Sequence, residues 1–284
     1  MRSLIAALLV ISSALQAGTI SIVIDDVGDN ERLALRTLYL DNRVALSILP
    51  HTPYSRSIAM LAQQRGNDIM LHQPMESYSN NHLLGPGPIF TSSSREEIRK
   101  TLQQNIKSIP GVIGINNHMG SKLTEHPTQM AWVMSELSQM DLFFMDSRTS
   151  AKSIAGKTAK DWSVPSVTRH VFLDHVDSID AIAVQFRRLI KIAKKHGHAI
   201  AIGHPKPNTL EFLEQALATL DNSGVELIAI SDYINFKQFR PIHLSAPKQK
   251  CNVLEDLKYH LNTLQQQVMT YHCSPIMQSY IVGE

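Results

Sequence analysis

The sequence predicts an α/β domain with a mostly parallel sheet, on three observations. Apolar, β-branched runs alternate with amphipathic stretches seven or eight times along the chain. Several of these runs are apolar throughout, as strands covered on both faces are. The chain has 284 residues, about 265 without a removable start, and α/β barrels fill roughly 200–250 residues as one unit. Periodicity leaves two architectures open, a barrel and an open doubly wound sheet.

The first stretch stands apart from the domain. Met1-Arg2 gives a short basic start, Leu4–Leu15 is apolar except for Ser12 and Ser13, and Ala14 and Ala17 are small residues of the kind that precede cleavage. An apolar run of about a dozen residues falls short of the ~20 that a spanning helix needs. Residues 1–17 therefore read as a secretory signal peptide, which implies a periplasmic or secreted protein with no stable membrane span after cleavage. Retention as an N-terminal anchor is the other reading.

Strands are expected at Ile20–Ile24, Val44–Leu49, Asp68–His72, Val112–Asn116, Leu142–Asp146, Ser166–Leu173, Ala199–Gly203 and Leu227–Ser231. Between them, Ser94 and Glu97 have the spacing of a capping box, and Ile98, Leu102 and Ile106 follow at helical intervals. Met130, Val133, Met134 and Leu137 mark a second helix. Ile179, Ile182, Phe186, Leu189, Ile190 and Ala193 mark the longest. Leu210, Leu213, Leu217 and Leu220 mark another, stopping near Asn222-Ser223-Gly224. Ser77–Ser93 is a long loop rich in Asn, Gly and Pro, a kind often functional at a site mouth. The domain is expected over residues 18–234. Residues 235–284 form an extension, packed on the domain or flexible, with one helix near Leu254–Val268.

The formal net charge is +2, which predicts no nucleic-acid partner. The composition is 43% hydrophobic, enough for a core without metal staples. The two cysteines, Cys251 and Cys273, fall near the C-terminus. In an oxidising compartment they can pair, worth roughly 3 kcal/mol in the chain-entropy picture, or stay as separate thiols. The oligomeric state is left open.

Chemistry is read from the polar residues. In a parallel α/β fold the active site lies at the C-terminal ends of the strands. Here Ile20–Ile24 ends in Asp25-Asp26, and Asp68–Leu71 ends in His72 with Glu76 four residues on. Val112–Ile115 ends in Asn116-Asn117-His118, Leu142–Met145 in Asp146, Val171–Leu173 in Asp174-His175, and Ala199–Gly203 in His204. A lone histidine at a strand end is more often structural than a ligand. Six such groups on one rim are a different matter. Carboxylate with imidazole suits a divalent transition metal, zinc first, and three protein ligands would leave a position for water or substrate. Hydrolysis follows: the metal activates water, a carboxylate takes its proton, and a histidine protonates the leaving group.

The stretches IDD, LHQPME, NNHMGS, MDSRTS, VFLD and AIGHP, in order over Thr19–Asp232, resemble the divergent polysaccharide deacetylase family. SIVIDDVGDN is similar to the first motif of the wider polysaccharide deacetylase (NodB-homology) group of carbohydrate esterases. The resemblance implies a distorted (β/α)7–8 barrel, export in a Gram-negative bacterium, a divalent metal and an acetylated glycan substrate, peptidoglycan-related or other. Carried over by position, Asp25 would be the general base, Asp26 and His72 metal ligands, and His204 the general acid. Glu76 stands where the group has a second ligand histidine. His118 is the preferred third ligand, with Glu76 as the alternative or as a supporting group. The arginine that orients the base in that group is missing, and Arg148 or Arg169 is offered in its place. Asp174 or Asp146 is expected to orient His204.

Three functions stay in view: removal of N- or O-acetyl groups from a glycan, amide or peptide-like hydrolysis by the same site, and non-catalytic metal or glycan binding in the envelope. Trp132 is expected to pack, and Trp162 is a candidate for stacking on a sugar. No role is assigned to His51, His82, His126, His170, His196, His198, His243, His260 or His272; His175 sits beside the rim, with no motif support beyond VFLD.

Overall fold

A computed structural model of the protein describes residues 18–238. The expected signal peptide, Cys251, Cys273 and the helix near Leu254–Val268 lie outside the described residues.

The strands are β1 (Gly18–Val27), β2 (Ala45–Ile48), β3 (Ile69–Met75), β4 (Val112–Met119), β5 (Phe143–Asp146), β6 (Ser166–Thr168), β7 (Val171–Phe172), β8 (His198–Gly203) and β9 (Val225–Leu227). The helices are α1 (Glu31–Leu38), α2 (Ser55–Arg65), α3 (Arg95–Ser108), α4 (Pro127–Gln139), α5 (Ala155–Asp161), α6 (Ile179–His196), α7 (Pro207–Ala218) and α8 (Ile230–Gln238). All named strand pairings are parallel.

The sheet order is β6-β5-β4-β3-β2-β1-β8-β7. Its two edge strands are consecutive in the chain, separated by Arg169 and His170 alone. The Arg169 amide still donates to Asp146 at the end of β5, and the next amide, His170, donates to Ile200 on β8. One extended segment thus forms both edges, so the sheet must curl until they meet. This decides between the two architectures in favour of the distorted barrel. The expected single strand Ser166–Leu173 is correspondingly two short strands. β9 pairs with the first residues of β1, while β2 pairs with its later residues.

Two apolar layers follow from strand alternation. Ile20, Ile22, Ile24, Leu46, Ile48, Leu71, Ile115 and Phe144 face outward and pack under the helices. Val23, Ala45, Met70, Phe143, Met145, Val167, Ile200 and Ile202 face inward and fill the barrel, closed below by Ile230 and Ile234 of α8. The sequence pattern places a strand at Leu227–Ser231, but the strand stops at Leu227 and Ile230 already begins α8. α8 begins there because Asp68 accepts a hydrogen bond from the Ser231 amide, as a helix-start carboxylate does. The expected domain boundary at residue 234 therefore falls inside α8.

The expected capping box is formed: Ser94 accepts from the Glu97 amide and Glu97 from that of Ser94. Among the described residues no helix is long and apolar enough to cross a membrane.

Candidate metal centre and acid–base site

The site is the next inward layer above the barrel's apolar filling. Two residues beyond Val23, Ala45, Met70 and Ile202 stand Asp25, Ser47, His72 and His204. On β4 the same face carries Gly114, Asn116 and His118. Register brings the layer level, since His72 is opposite Asn116 and Ile24 is opposite Gly203. His72, Asn116 and His118 lie within β3 and β4 rather than at their ends, because both strands run three residues past the expected stop.

Neighbouring residues of a strand normally point to opposite faces, yet Asp25 and Asp26 both reach the site. The reason is local. Asp26 has φ +55°, in the left-handed region, and the pairing with β2 slips between Ile24 and Val27. Aspartate tolerates this conformation better than most residues.

Three ligand-type atoms converge. His72 Nε2 and His118 Nδ1 lie 3.1 and 2.9 Å from Asp26 Oδ1, and 3.1 Å from each other. Asp25 Oδ2 is 3.7 Å from His72 Nε2, and His204 Nε2 is 3.9 Å from Asp26 Oδ2. The structure therefore brings together Asp25, Asp26, His72, His118 and His204.

The donor set fits a small divalent cation. Asp26 Oδ1 is shielded from solvent, and the polar atoms it faces are the two imidazole nitrogens, His118 Nδ1 and His72 Nε2. His72 Nδ1 faces the Asn116 carbonyl oxygen at 2.7 Å, so Nδ1 carries a proton and Nε2 is the ring nitrogen turned to the cluster, where a proton or a cation can sit. Zinc with ligands at about 2.1 Å needs them roughly 3.4 Å apart, a few tenths of an ångström more than found here. Electrostatics agrees. Burial opposes charge on His72, but Asp25 and Asp26 outweigh it and push the imidazole up to about 9. Burial likewise opposes charge on Asp26, and its contacts with His118 and His72 hold the carboxyl well below the usual range. The surroundings thus stabilise positive charge at this point, whether carried by a proton or a metal.

Burial is the main influence on Asp25 and raises its carboxyl above the ordinary value, against the pull of His72 and His204. Its Oδ1 accepts from Asn116 Nδ2 at 2.7 Å. His204 Nδ1 donates to Asp174 Oδ1 at 2.8 Å, and Asp174 Oδ2 accepts from the His204 amide and the Thr209 hydroxyl. Burial alone would lower the His204 imidazole, but Asp174 outweighs it and raises it.

The remaining candidates go elsewhere. Glu76 binds Lys122 at 2.7 Å and accepts from the Thr91 amide and hydroxyl, which ties the Ser77–Ser93 loop to β3. Asp146 accepts from the Arg148 amide and the Ser153 hydroxyl, closing its own loop rather than orienting His204. Neither proposed arginine has a hydrogen bond to Asp25 among the described residues, although Arg169 lies near enough to feel its charge. Arg169 donates to the carbonyls of Ser147 and Arg148, and its guanidinium lies 3.7 Å over the Phe172 ring. Arg148 donates to the Ala151 carbonyl. Asn116 takes that place, and the residue pattern missed it because an amide carries no charge to single it out. Trp162 is exposed but ends α5 just before β6, hence at the opposite end of the barrel from the site. Trp132 packs against the core.

Comparison with known proteins follows the same span. A family profile described as divergent polysaccharide deacetylase matches residues 22–234. A protein of Haemophilus influenzae (strain Rd) is 36% identical over 213 residues, covering 75% of each chain. The protein YibQ of Escherichia coli K12 is 35% identical over 233 residues, covering 82% of this chain and 72% of its own. The crystal structure of a protein from Agrobacterium tumefaciens C58 is 21% identical and superposes with a TM-score of 0.74, over 78% of this chain and 91% of that one. That likeness is one of fold.

Proposed function

The chain belongs to the divergent polysaccharide deacetylase family, and from that premise we propose that it is a metal-dependent hydrolase removing acetyl groups from a glycan of the cell envelope. The observation that carries the reading is the convergence of Asp26, His72 and His118 on one point, with a buried carboxylate on one side and an aspartate-backed histidine on the other. A structural cluster does not require both.

Asp26, His72 and His118 would hold the cation, zinc by the chemistry of the donors. When bound, it lowers the pKa of water and polarises the acyl oxygen. The rest is the work of the chain. Asn116 occupies Asp25 Oδ1, which leaves Oδ2 facing the cluster. Asp25 Oδ2 takes a proton from the attacking water as the water oxygen bonds to the acyl carbon. Asp174 can only accept, so it fixes the His204 proton on Nδ1 and aims Nε2 into the site. Asp174 favours the imidazolium form of His204, and from that form Nε2 gives its proton to the leaving nitrogen or oxygen as the C–N or C–O bond breaks. The products are acetate and a free amine or hydroxyl on the sugar. Export to the periplasm belongs to this proposal, resting on the character of residues 1–17.

The test uses protein purified without a metal-affinity tag. Bound metal is measured first, then acetate release from acetylated glycan oligomers by wild type, Asp25→Asn and His204→Ala. The expected result is about one zinc per chain, with each variant at least 100-fold slower. Full metal binding with no acetate from any glycan would favour a binding protein on the same barrel.

A further inference from the structure

Asn116 has no exposed surface, and its side-chain amide is used on both sides. Nδ2 donates to Asp25 Oδ1 at 2.7 Å. Oδ1 accepts from His72 Nδ1 at 2.7 Å and from the Ser47 hydroxyl at 2.6 Å. Asn116 therefore touches the candidate base and a candidate metal ligand with one rigid, planar group. We propose that Asn116 is a positioning residue that sets which oxygen of Asp25 faces the water and which nitrogen of His72 faces the cation. The inference rests on the hydrolase reading.

The orientation of the amide is locked. A flipped amide would set its NH2 against His72 Nδ1 and turn its carbonyl oxygen toward the Asp25 carboxylate, an acceptor facing an acceptor. Both lone pairs of Oδ1 are engaged, by His72 and Ser47, and the Asp25 carboxylate, which can only accept, fixes which end of the amide faces it. Strand register delivers the group, since Asn116 lies opposite His72 in the β3–β4 pairing. A lysine or arginine in this place would also donate to Asp25. It would add a positive charge beside the cation, however, and it has no acceptor for His72. A neutral carboxamide does both tasks without opposing metal binding.

The variants separate the two halves. Asn116→Asp keeps an acceptor for His72 and Ser47 but removes the donor to Asp25. Asn116→Leu removes both at nearly the same volume. Zinc affinity is measured on each protein by competition with a chromophoric chelator, independently of turnover. We expect Asn116→Asp to bind zinc at least as tightly as wild type, and to lose roughly 10- to 100-fold in kcat with KM unchanged. Asn116→Leu should lose roughly 10- to 100-fold in zinc affinity. The swapped double variant, Asp25→Asn with Asn116→Asp, should recover most of the thermal stability that Asn116→Asp loses, because it restores an amide–carboxylate pair. Wild-type kcat in Asn116→Asp, or wild-type zinc affinity in Asn116→Leu, would overturn the proposal. If the wild type binds zinc but releases no acetate, the hydrolase reading fails by itself. The role of Asn116 is then decided by the zinc affinities and by the swap, and no recovery of stability in the swap would overturn it.

Discussion

Asp26 holds its left-handed backbone at a cost of about 1 kcal/mol or more for a residue other than glycine, and two imidazoles hold its carboxylate. The two roles separate by substitution. Asp26→Gly and Asp26→Ala should both weaken zinc binding, but Asp26→Gly should be the more stable in chemical denaturation, by about 1 kcal/mol. Equal stability would mean that the φ of +55° carries no strain. Glu76 answers differently. Its partners are Lys122 and Thr91, so Glu76→Gln should leave zinc affinity within about threefold and lower unfolding stability by the roughly 1.5–3 kcal/mol of a charge-assisted hydrogen bond. A large loss of zinc in that variant would put Glu76 back among the ligands. A third residue governs acid stability. His198 at the start of β8 is buried, stacked on Tyr233 with ring centroids 3.5 Å apart, and burial with nearby His170 and Lys237 pushes its imidazole down to about 3. The unfolded value is about 6.5. Its neutral form therefore supports the fold fully above pH 6.5, and that support drains away as pH falls from 6.5 towards 3. By pH 5 the loss is about 2 kcal/mol. Measured by thermal unfolding, His198→Phe should lose less stability than wild type between pH 7 and pH 5. Parallel curves would remove His198 from the acid response.

At the scale of elements, the sequence announces those whose apolar stripe is made of large residues. α3, α4, α6 and α7 bury leucine, isoleucine, valine, methionine or phenylalanine at helical spacing, and their pattern is plain. α1 and α2 bury Ala34, Thr37 and Leu38, and Ser55, Ile58, Ala59 and Ala62. Small residues suffice there, so periodicity is faint and neither helix is legible from it. The strand ends fail for a related reason. β3 and β4 run on through His72, Gln73 and Pro74 and through Asn117 and His118, and polar residues read as the end of a strand. Of these, His72 and His118 belong to the candidate site, while Gln73 and Asn117 tie down neighbouring loops through Gly87 and through Met119 and Ser147. Candidate ligands that stand out by residue type are legible; Asn116 and the Asp26 backbone are not, since neither an amide nor a dihedral angle leaves a mark on composition. The capping box gives this scale its own test. Ser94→Ala should cost about 1 kcal/mol in denaturant unfolding, and a neutral result would show that α3 is held by packing alone.

At the scale of the molecule, closing the barrel makes the chemistry available. Asp25 and Asp26 come from β1, His72 from β3, His118 from β4 and His204 from the end of β8. An uncurled sheet would leave β4 and β8 four strands apart. Because Ser166–Phe172 supplies both edges, the sheet has a fixed circumference, and the inward layer above Val23, Met70 and Ile202 is pressed into one small space. The apolar layer beneath and the plug of α8 keep that space dry from below, which strengthens every charge interaction in it. Family membership supports a deacetylase-like use of such a space, and the residues filling it offer a candidate for each step. The most direct measurement is a zinc-edge anomalous difference map from crystals of the zinc-loaded protein. The account predicts one strong peak within coordination distance of Asp26, His72 and His118, with Asp25 and His204 beside it and unbound. A peak elsewhere, or none at this triad under saturating zinc, would contradict it.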